Sequence, residues 1–405
     1  MTVLTDFDQF DGLHWETGTI RNALAYQGVK APHTGKPYSE ALLMGVSGGA
    51  AFGYFTFDYQ GYDPILALII RNTFDPMDTL CERLGIPQTV LQTTDAKKGD
   101  AKLLEVLESG RPAIAWADQY SLPYNCLEGD RSNWAMLPVL VYGMDEERVY
   151  IADRSRQPLS VSRGDFARAR GRVKKDKYRV ISLDPPDERK LVSAVHKGLW
   201  QCVRLYTEAP PKGARQNFGF AAYQHWAKML TNTRNPQSWT RFFPAGSRLY
   251  AALAGNHGIT GIYPWIRMWG AGDGAERGMF ADFLEEAAVI LNKPLLSDAA
   301  DTFRRSRAAW LKLADTALPE NVPLLKRTRE LLQRRHDLFI HHGETALDEI
   351  HNIENGLQEL RESAAREFPL GDAGVSGLFS EMRDCVLAIH DLEVQAVEQM
   401  QQALA

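Results

Sequence analysis

Near the middle of the chain, the stretch SLDPPDERK (182–190) separates two halves with different hydrophobic rhythms. Paired prolines cannot continue a helix or an inner strand, so this segment reads as a linker. Ahead of it, stretches of alternating apolar residues are interspersed with stretches of helical period. Behind it, the pattern is almost wholly helical. Such a chain is expected to fold as α+β, with a mixed domain over 1–185 and an all-α domain over 186–405. With 405 residues, 44% of them hydrophobic, it carries enough apolar surface for two cores.

The first half opens with GLHWETGTIRNALAYQG (12–28), a short loop and then an amphipathic helix. Ile20, Leu24 and Tyr26 lie on or near one face, Thr17 or Thr19 can cap the start, and Gly28 suits a left-handed stop. YSEALLMGV reads as a second helix capped by Ser39, and GVSGGAAFGYF as a glycine turn entering an aromatic strand. PILALII (64–70) is a buried segment, and 76–86 and 95–110 are helical. RPAIAWADQY is extended, followed by the polar loop SLPYNCLEGDRSNWA. LPVLVYGMDEERVYIADR is a strand, a charged turn and a strand. If Gly143 faces Arg148 across that turn, Leu137 lies opposite Asp153 or Arg154. SRGDFARARG (a helix) and YRVISL (a strand) close the unit.

In the second half, Met279, Phe283, Ala287 and Ile290 share a helical stripe, as do Phe303, Trp310 and Ala314. Ala346, Ile350, Ile353, Leu357 and Leu360 step by four, three, four and three, a short heptad seam. Phe379, Met382, Val386, Ile389, Ala396 and Met400 repeat the habit in the last helix. Packing within the domain explains these seams more simply than a homodimer contact. Tyr263, Trp265 and Trp269 read as core aromatics.

Composition narrows the function classes. A net charge of −5 without a basic stripe argues against nucleic acid. The most basic run, KRTRELLQRRH (326–336), reads as a solvated helix face. No apolar run reaches membrane-spanning length, and the acidic start lacks a secretory signal pattern, so the expected location is the cytoplasm. Cys81, Cys126, Cys202 and Cys385 are far apart, implying neither a disulfide framework nor a zinc site. His341 and His342 are adjacent rather than four apart, so no metal is expected.

The chemistry, if any, belongs to the start of the first helix. Unpaired N–H groups and the helix dipole stabilise an anionic nucleophile there. A nucleophile on that mount, a histidine on a later strand and an acid on the next form the papain-like arrangement, in which the imidazole takes the thiol's proton and the acid orients it. HWETGTIRNALAYQGV, SEALLMGVSGGAAFGYF, VYGMDEERVYIADR and GMFADFLEEAAVILNKP together resemble the butirosin biosynthesis protein H family. The resemblance implies a papain-like N-terminal domain and its associated helical C-terminal domain. It also implies transfer of an acyl group from an acyl carrier protein to an amine through a cysteine thioester. In that pattern the cysteine follows His14, where this chain has Trp15, and the histidine falls at Leu137. Asp153 alone matches. Losing two residues that act as a unit points to chemistry abandoned or replaced.

Three readings follow. The first is a degenerate member that binds an acyl carrier, acyl group or biosynthetic partner without thioester chemistry, Trp15 plugging the thiol pocket beside Glu16, Thr17 and Leu137. The second is an active acyltransferase or condensing enzyme acting on a small-molecule amine or acyl substrate through His14 and Asp153. The third is an interaction protein working through its C-terminal helices. Cys126, in the loop before the histidine strand, is weighed as a substitute thiol and found less apt than an inert one. No bound cofactor is expected. A carrier's phosphopantetheine arm would be sought at the glycine turn holding Gly48 and Gly49, or at the glycine-rich MWGAGDGAERGMF, where a plain loop is the simpler reading.

Overall fold

The computed structural model describes residues 2–58, 60, 64–127, 134–175, 177–255, 260–268 and 274–405. It is α+β. Two compact units share the chain. One comprises 1–43, 77–191 and 335–354; the other comprises 44–76, 192–334 and 355–405. A single cut after residue 185 therefore does not describe the division. The segment 44–76 goes with the helices and 335–354 goes with the large sheet. Periodicity reports which face of an element is apolar, not which core receives it.

Nine strands are present among the described residues: β1 (Thr2–Val3), β2 (Ala50–Phe57), β3 (Ile65–Arg71), β4 (Gln88–Leu91), β5 (Ala113–Asp118), β6 (Met136–Met144), β7 (Arg148–Ala152), β8 (Leu159–Ser162) and β9 (Val180–Leu183). In the first unit, β4-β9-β5-β6-β7-β8 form an antiparallel sheet, and β1 pairs with the end of β6. Helices Thr17–Tyr26, Ala96–Glu108 and Arg163–Arg172 pack on it. Helix 17–26 stops as expected: Gly28 has φ 71°, its N–H bonds to the Ala25 carbonyl, and Val29 N–H bonds to the Leu24 carbonyl. Its start differs. Glu16 precedes the helix without a side-chain cap, the Thr17 hydroxyl donates to Glu40 Oε1 (2.8 Å), and the Thr19 hydroxyl donates to the Glu16 carbonyl (2.9 Å). Neither threonine caps. Ser39 does cap the next helix, accepting from Leu42 N–H at 2.9 Å.

In the second unit, β2 and β3 pair into a hairpin that lies against helix Gly219–Thr231. Helices Arg277–Leu291, Leu296–Ala317 and Asp372–Leu404 complete the bundle, burying Phe283, Phe303, Trp310, Met382, Val386 and Ile389. Its centre is polar. Arg277 and Glu393, both fully buried, pair at 2.8 Å. Glu393 also accepts from Tyr206 (2.6 Å), Tyr223 (2.6 Å), Ser306 (2.7 Å) and Trp310 Nε1 (2.9 Å). Arg277 donates to the carbonyls of Ile70, Ala275 and Ala51. Next to it in sequence, Glu276 holds Arg71 of β3 by two bonds of 2.5 and 2.6 Å. The AER portion of the glycine-rich stretch is thus a buried ionic junction. Residues 269–273 of that stretch, Trp269 among them, lie outside the described residues; Tyr263 is buried.

Two sequence patterns divide differently from expectation. In the heptad seam, Ala346 sits in a 3-10 turn and packs with Ile350 and Cys126. Leu357 and Leu360 belong to the other unit. Within the basic run, Arg335 is buried, ion-paired with Glu354, and donates to the Asn125 carbonyl at 2.9 Å. It is not part of a solvated face, because its helix ends inside the sheet unit. Among the described residues no helix is long and apolar enough to cross a membrane.

Candidate functional site

The loop before helix 17–26 folds tightly onto its first turn. Gly12 and Gly18 approach so closely that a Cβ on Gly12 would lie 2.4 Å from the Gly18 carbonyl oxygen. This seats His14, Trp15 and Glu16 at the helix start. His14 closes the turn twice, its carbonyl accepting from Gly18 N–H (2.8 Å) and its Nδ1 from Glu16 N–H (3.2 Å). An Nδ1 that accepts carries no proton, so the neutral ring is protonated at Nε2. The ring also meets the Trp15 indole edge-on at 5.2 Å. Trp15 itself is buried.

The other side of the site comes from the end of β7. The register there differs from the expected one: Gly143 faces Tyr150 rather than Arg148, and a bulge between Val141 and Gly143 leaves Leu140 opposite Ala152. The turn closes between Asp145 and Arg148, so the pairing is already displaced by two residues at Gly143; the bulge takes back one of them, and hairpin patterning reveals neither. Continuing the antiparallel pairing puts Asp153 opposite Val139. Leu137, paired with Ala117 on its other side, lies two residues along on the same face as Val139. Leu137 is thus a diagonal neighbour of Asp153, not the directly opposed residue.

Asp153 is buried and both of its carboxylate oxygens accept hydrogen bonds. Tyr124 donates to Oδ2 at 2.9 Å, and Arg154 donates through Nε to Oδ1 and through Nη2 to Oδ2, both at 3.0 Å. Arg154 adopts a left-handed backbone (φ 52°), which turns its side chain back onto the preceding residue's carboxylate. Nη2 also reaches Asn125 Oδ1 (2.6 Å) and Gln119 Oε1 (3.1 Å). The guanidinium lies over the Trp15 ring at 5.1 Å and against the Phe339 ring at 5.2 Å. Burial, then the charge of Asp153, pushes the Tyr124 phenol well above its ordinary value, so it stays a donor. The cluster therefore runs indole, guanidinium, carboxylate, with Phe339 contributed by the late segment 335–354. Tyr124, Gln119, Asn125 and Phe339 were not singled out by sequence reasoning, and Arg154 entered only as a register neighbour of Leu137. The signal available for Arg154 was a charge placed directly after a buried strand end; nothing local marks Phe339.

The remaining candidates fall elsewhere. Gly48 and Gly49 belong to the helical unit, where they close helix Glu40–Val46. Gly49 N–H bonds to the Met44 carbonyl and Gly48 N–H to the Gly45 carbonyl, the paired bonds of a Schellman stop. A Cβ on Gly49 would lie 2.5 Å from the Phe280 ring. Both glycines thus have a backbone and packing role. Cys126, also left-handed at φ 48°, has its Sγ 3.9 Å from His351 Nδ1. That nitrogen lies 2.9 Å from the Leu347 carbonyl and so carries a proton, which leaves no lone pair facing the thiol. Burial pushes the Cys126 pKa up to about 11, against the pull of Arg335. Alkylation of Cys126 by iodoacetamide is accordingly expected to be slow at pH 7, to accelerate only as pH approaches 11, and to be unchanged by His351→Ala. Mass-spectrometric labelling rates against pH check this. Among the described residues no three His, Cys, Asp or Glu side chains gather as a metal-binding group.

This is an antiparallel α+β unit with an early helix whose start faces a buried acid at a strand end. Residues 14–154 match the family described as butirosin biosynthesis protein H, N-terminal, and over that stretch the chain is similar to this family. The match begins at His14 and ends at Arg154, so both of its ends lie in the cluster. No curated protein matches the chain.

Proposed function

We propose that this chain is a non-catalytic member of its family, serving natural-product biosynthesis by binding an acyl carrier, through its acylated phosphopantetheine arm, without transferring the acyl group. On this reading the sheet unit is papain-like. Position 15 is the nucleophile mount and position 137 the histidine's place, and both lack the reactive atom. The observation that carries the reading is Arg154 holding both oxygens of Asp153 while lying over Trp15. An acid paired in this way orients a guanidinium rather than an imidazole, which also weighs against an alternative enzyme built on His14 and Asp153.

The test uses an acylated carrier protein, an amine acceptor and the full chain. Binding by fluorescence anisotropy with the acyl group retained on the carrier, seen by intact-mass spectrometry, is the expected result. Acyl transfer that is lost in His14→Ala, with the fold intact by circular dichroism, would overturn the proposal in favour of the enzyme. Absence of binding would overturn it as well.

A further inference from the structure

The inference here rests on the papain-like reading above and concerns what replaced the missing imidazole. In a thiolate–imidazolium–carboxylate relay, a cation sits between the nucleophile and the acid. This chain has a cation in that place. Arg154 is bidentate to Asp153 on one side and over the side chain at position 15 on the other. Gln119 and Asn125 accept from it, Phe339 covers it, and it is buried. We propose that Arg154 is the structural replacement for the family's histidine, preserving the electrostatic polarity of the site while removing its acid–base cycle.

The chemistry separates the two halves of that statement. A guanidinium keeps its charge at all accessible pH and cannot take a thiol proton and return it to a leaving amine. It does stabilise an anion beside it, as an imidazolium would. The cation–π contact with Trp15 uses that charge with no anion at position 15. Other charged groups surround the mount. Glu16 and Glu40 lie at the helix start, Glu40 accepting from Leu13 N–H and Thr17, and both oppose an anion at position 15. Asp153 opposes it too. From segment 335–354, Arg335 and His336 face the cluster; burial lowers the His336 pKa to about 4, so that ring is neutral near pH 7. Of these groups Arg154, over position 15, and the partial positive charge of the helix start favour an anion there, while Arg335 is ion-paired with Glu354.

Trp15→Cys in the full chain reads this field. The introduced thiol, followed by iodoacetamide labelling rate against pH and located by peptide mass, is expected to titrate a unit or more below an ordinary cysteine at about 8.5. Trp15→Cys with Arg154→Lys should stay low, and Trp15→Cys with Arg154→Gln should rise by roughly a unit or more. A lowered value indifferent to Arg154→Gln would overturn the role of Arg154 while leaving the nucleophile-mount reading intact. An ordinary or raised value in Trp15→Cys alone would overturn both. If the cavity left by the indole unfolds that variant, Trp15→His supplies the same reading with less lost volume. Its imidazole, followed by NMR, is expected to titrate below about 6.5 and to move upward with Arg154→Gln; no upward movement would overturn the proposal.

Discussion

Replacing Glu393 with alanine is expected to cost the protein about 3–5 kcal/mol, enough to unfold the helical unit or bring it close to unfolding. The change strands the fully buried Arg277 guanidinium without its counter-charge. It also removes the acceptor used by Tyr206, Tyr223, Ser306 and Trp310. Urea unfolding followed at 222 nm gives the midpoint that checks it. The paired replacement Arg277→Met with Glu393→Leu should cost much less than the sum of the single changes, because no charge is left buried alone. Acid should mimic the single change. Burial raises the Glu393 pKa, but the Arg277 charge and the hydrogen bonds from Arg277, Tyr206 and Tyr223 lower it further, for a net value below the ordinary carboxyl. A carboxyl whose folded pKa lies below its unfolded one contributes stability in full above the unfolded value of about 4.3 and loses it as pH falls towards the folded one. In Glu393→Gln that part of the acid sensitivity should disappear from the curve of midpoint against pH.

A chain ended at Leu191, just past the linker, is expected not to fold cooperatively. It would lack 335–354, which belongs to the sheet unit. From that segment Arg335 bonds to the Asn125 carbonyl, the Phe339 carbonyl accepts from the Ser155 hydroxyl at 2.9 Å, and the Ile340 carbonyl accepts from Arg156 N–H at 2.8 Å. Ala346 and Ile350 cover Cys126. The shortened chain would also carry the β2–β3 hairpin, whose apolar residues are buried in the other unit. Broad, non-cooperative urea unfolding and weak near-ultraviolet dichroism are the expected signs. Rejoining 335–354 through a flexible linker should recover part of the loss. A sharp two-state transition in the shortened chain would show that the late segment is dispensable.

Much of the architecture was legible because it is local. The Gly28 stop, the Ser39 cap, the hairpin at 137–154 and the stripes of the C-terminal helices follow from short-range backbone chemistry and periodicity. Glu393 was not singled out, although it falls on the same stripe as Val386, Ile389, Ala396 and Met400, where a carboxylate requires a buried partner. That partner, Arg277, lies 116 positions away and has no local signal. The hairpin register differed by two residues at Gly143 and by one beyond the bulge, because neither the turn's closing pair nor the bulge is marked in the apolar pattern.

By itself, then, the sequence determined the element types, the α+β class, the similarity of residues 14–154 to the family and the absence of a thiol from position 15. Only the tertiary structure decided which core each amphipathic face enters, sending 44–76 to the helices and 335–354 to the sheet. It also decided what occupies the site, bringing Trp15, Asp153, Arg154 and Phe339 together from three distant stretches. The physical reason is range. Backbone propensity and periodicity act over a few residues, whereas ion pairs and ring contacts are set by proximity in space, which no local pattern encodes.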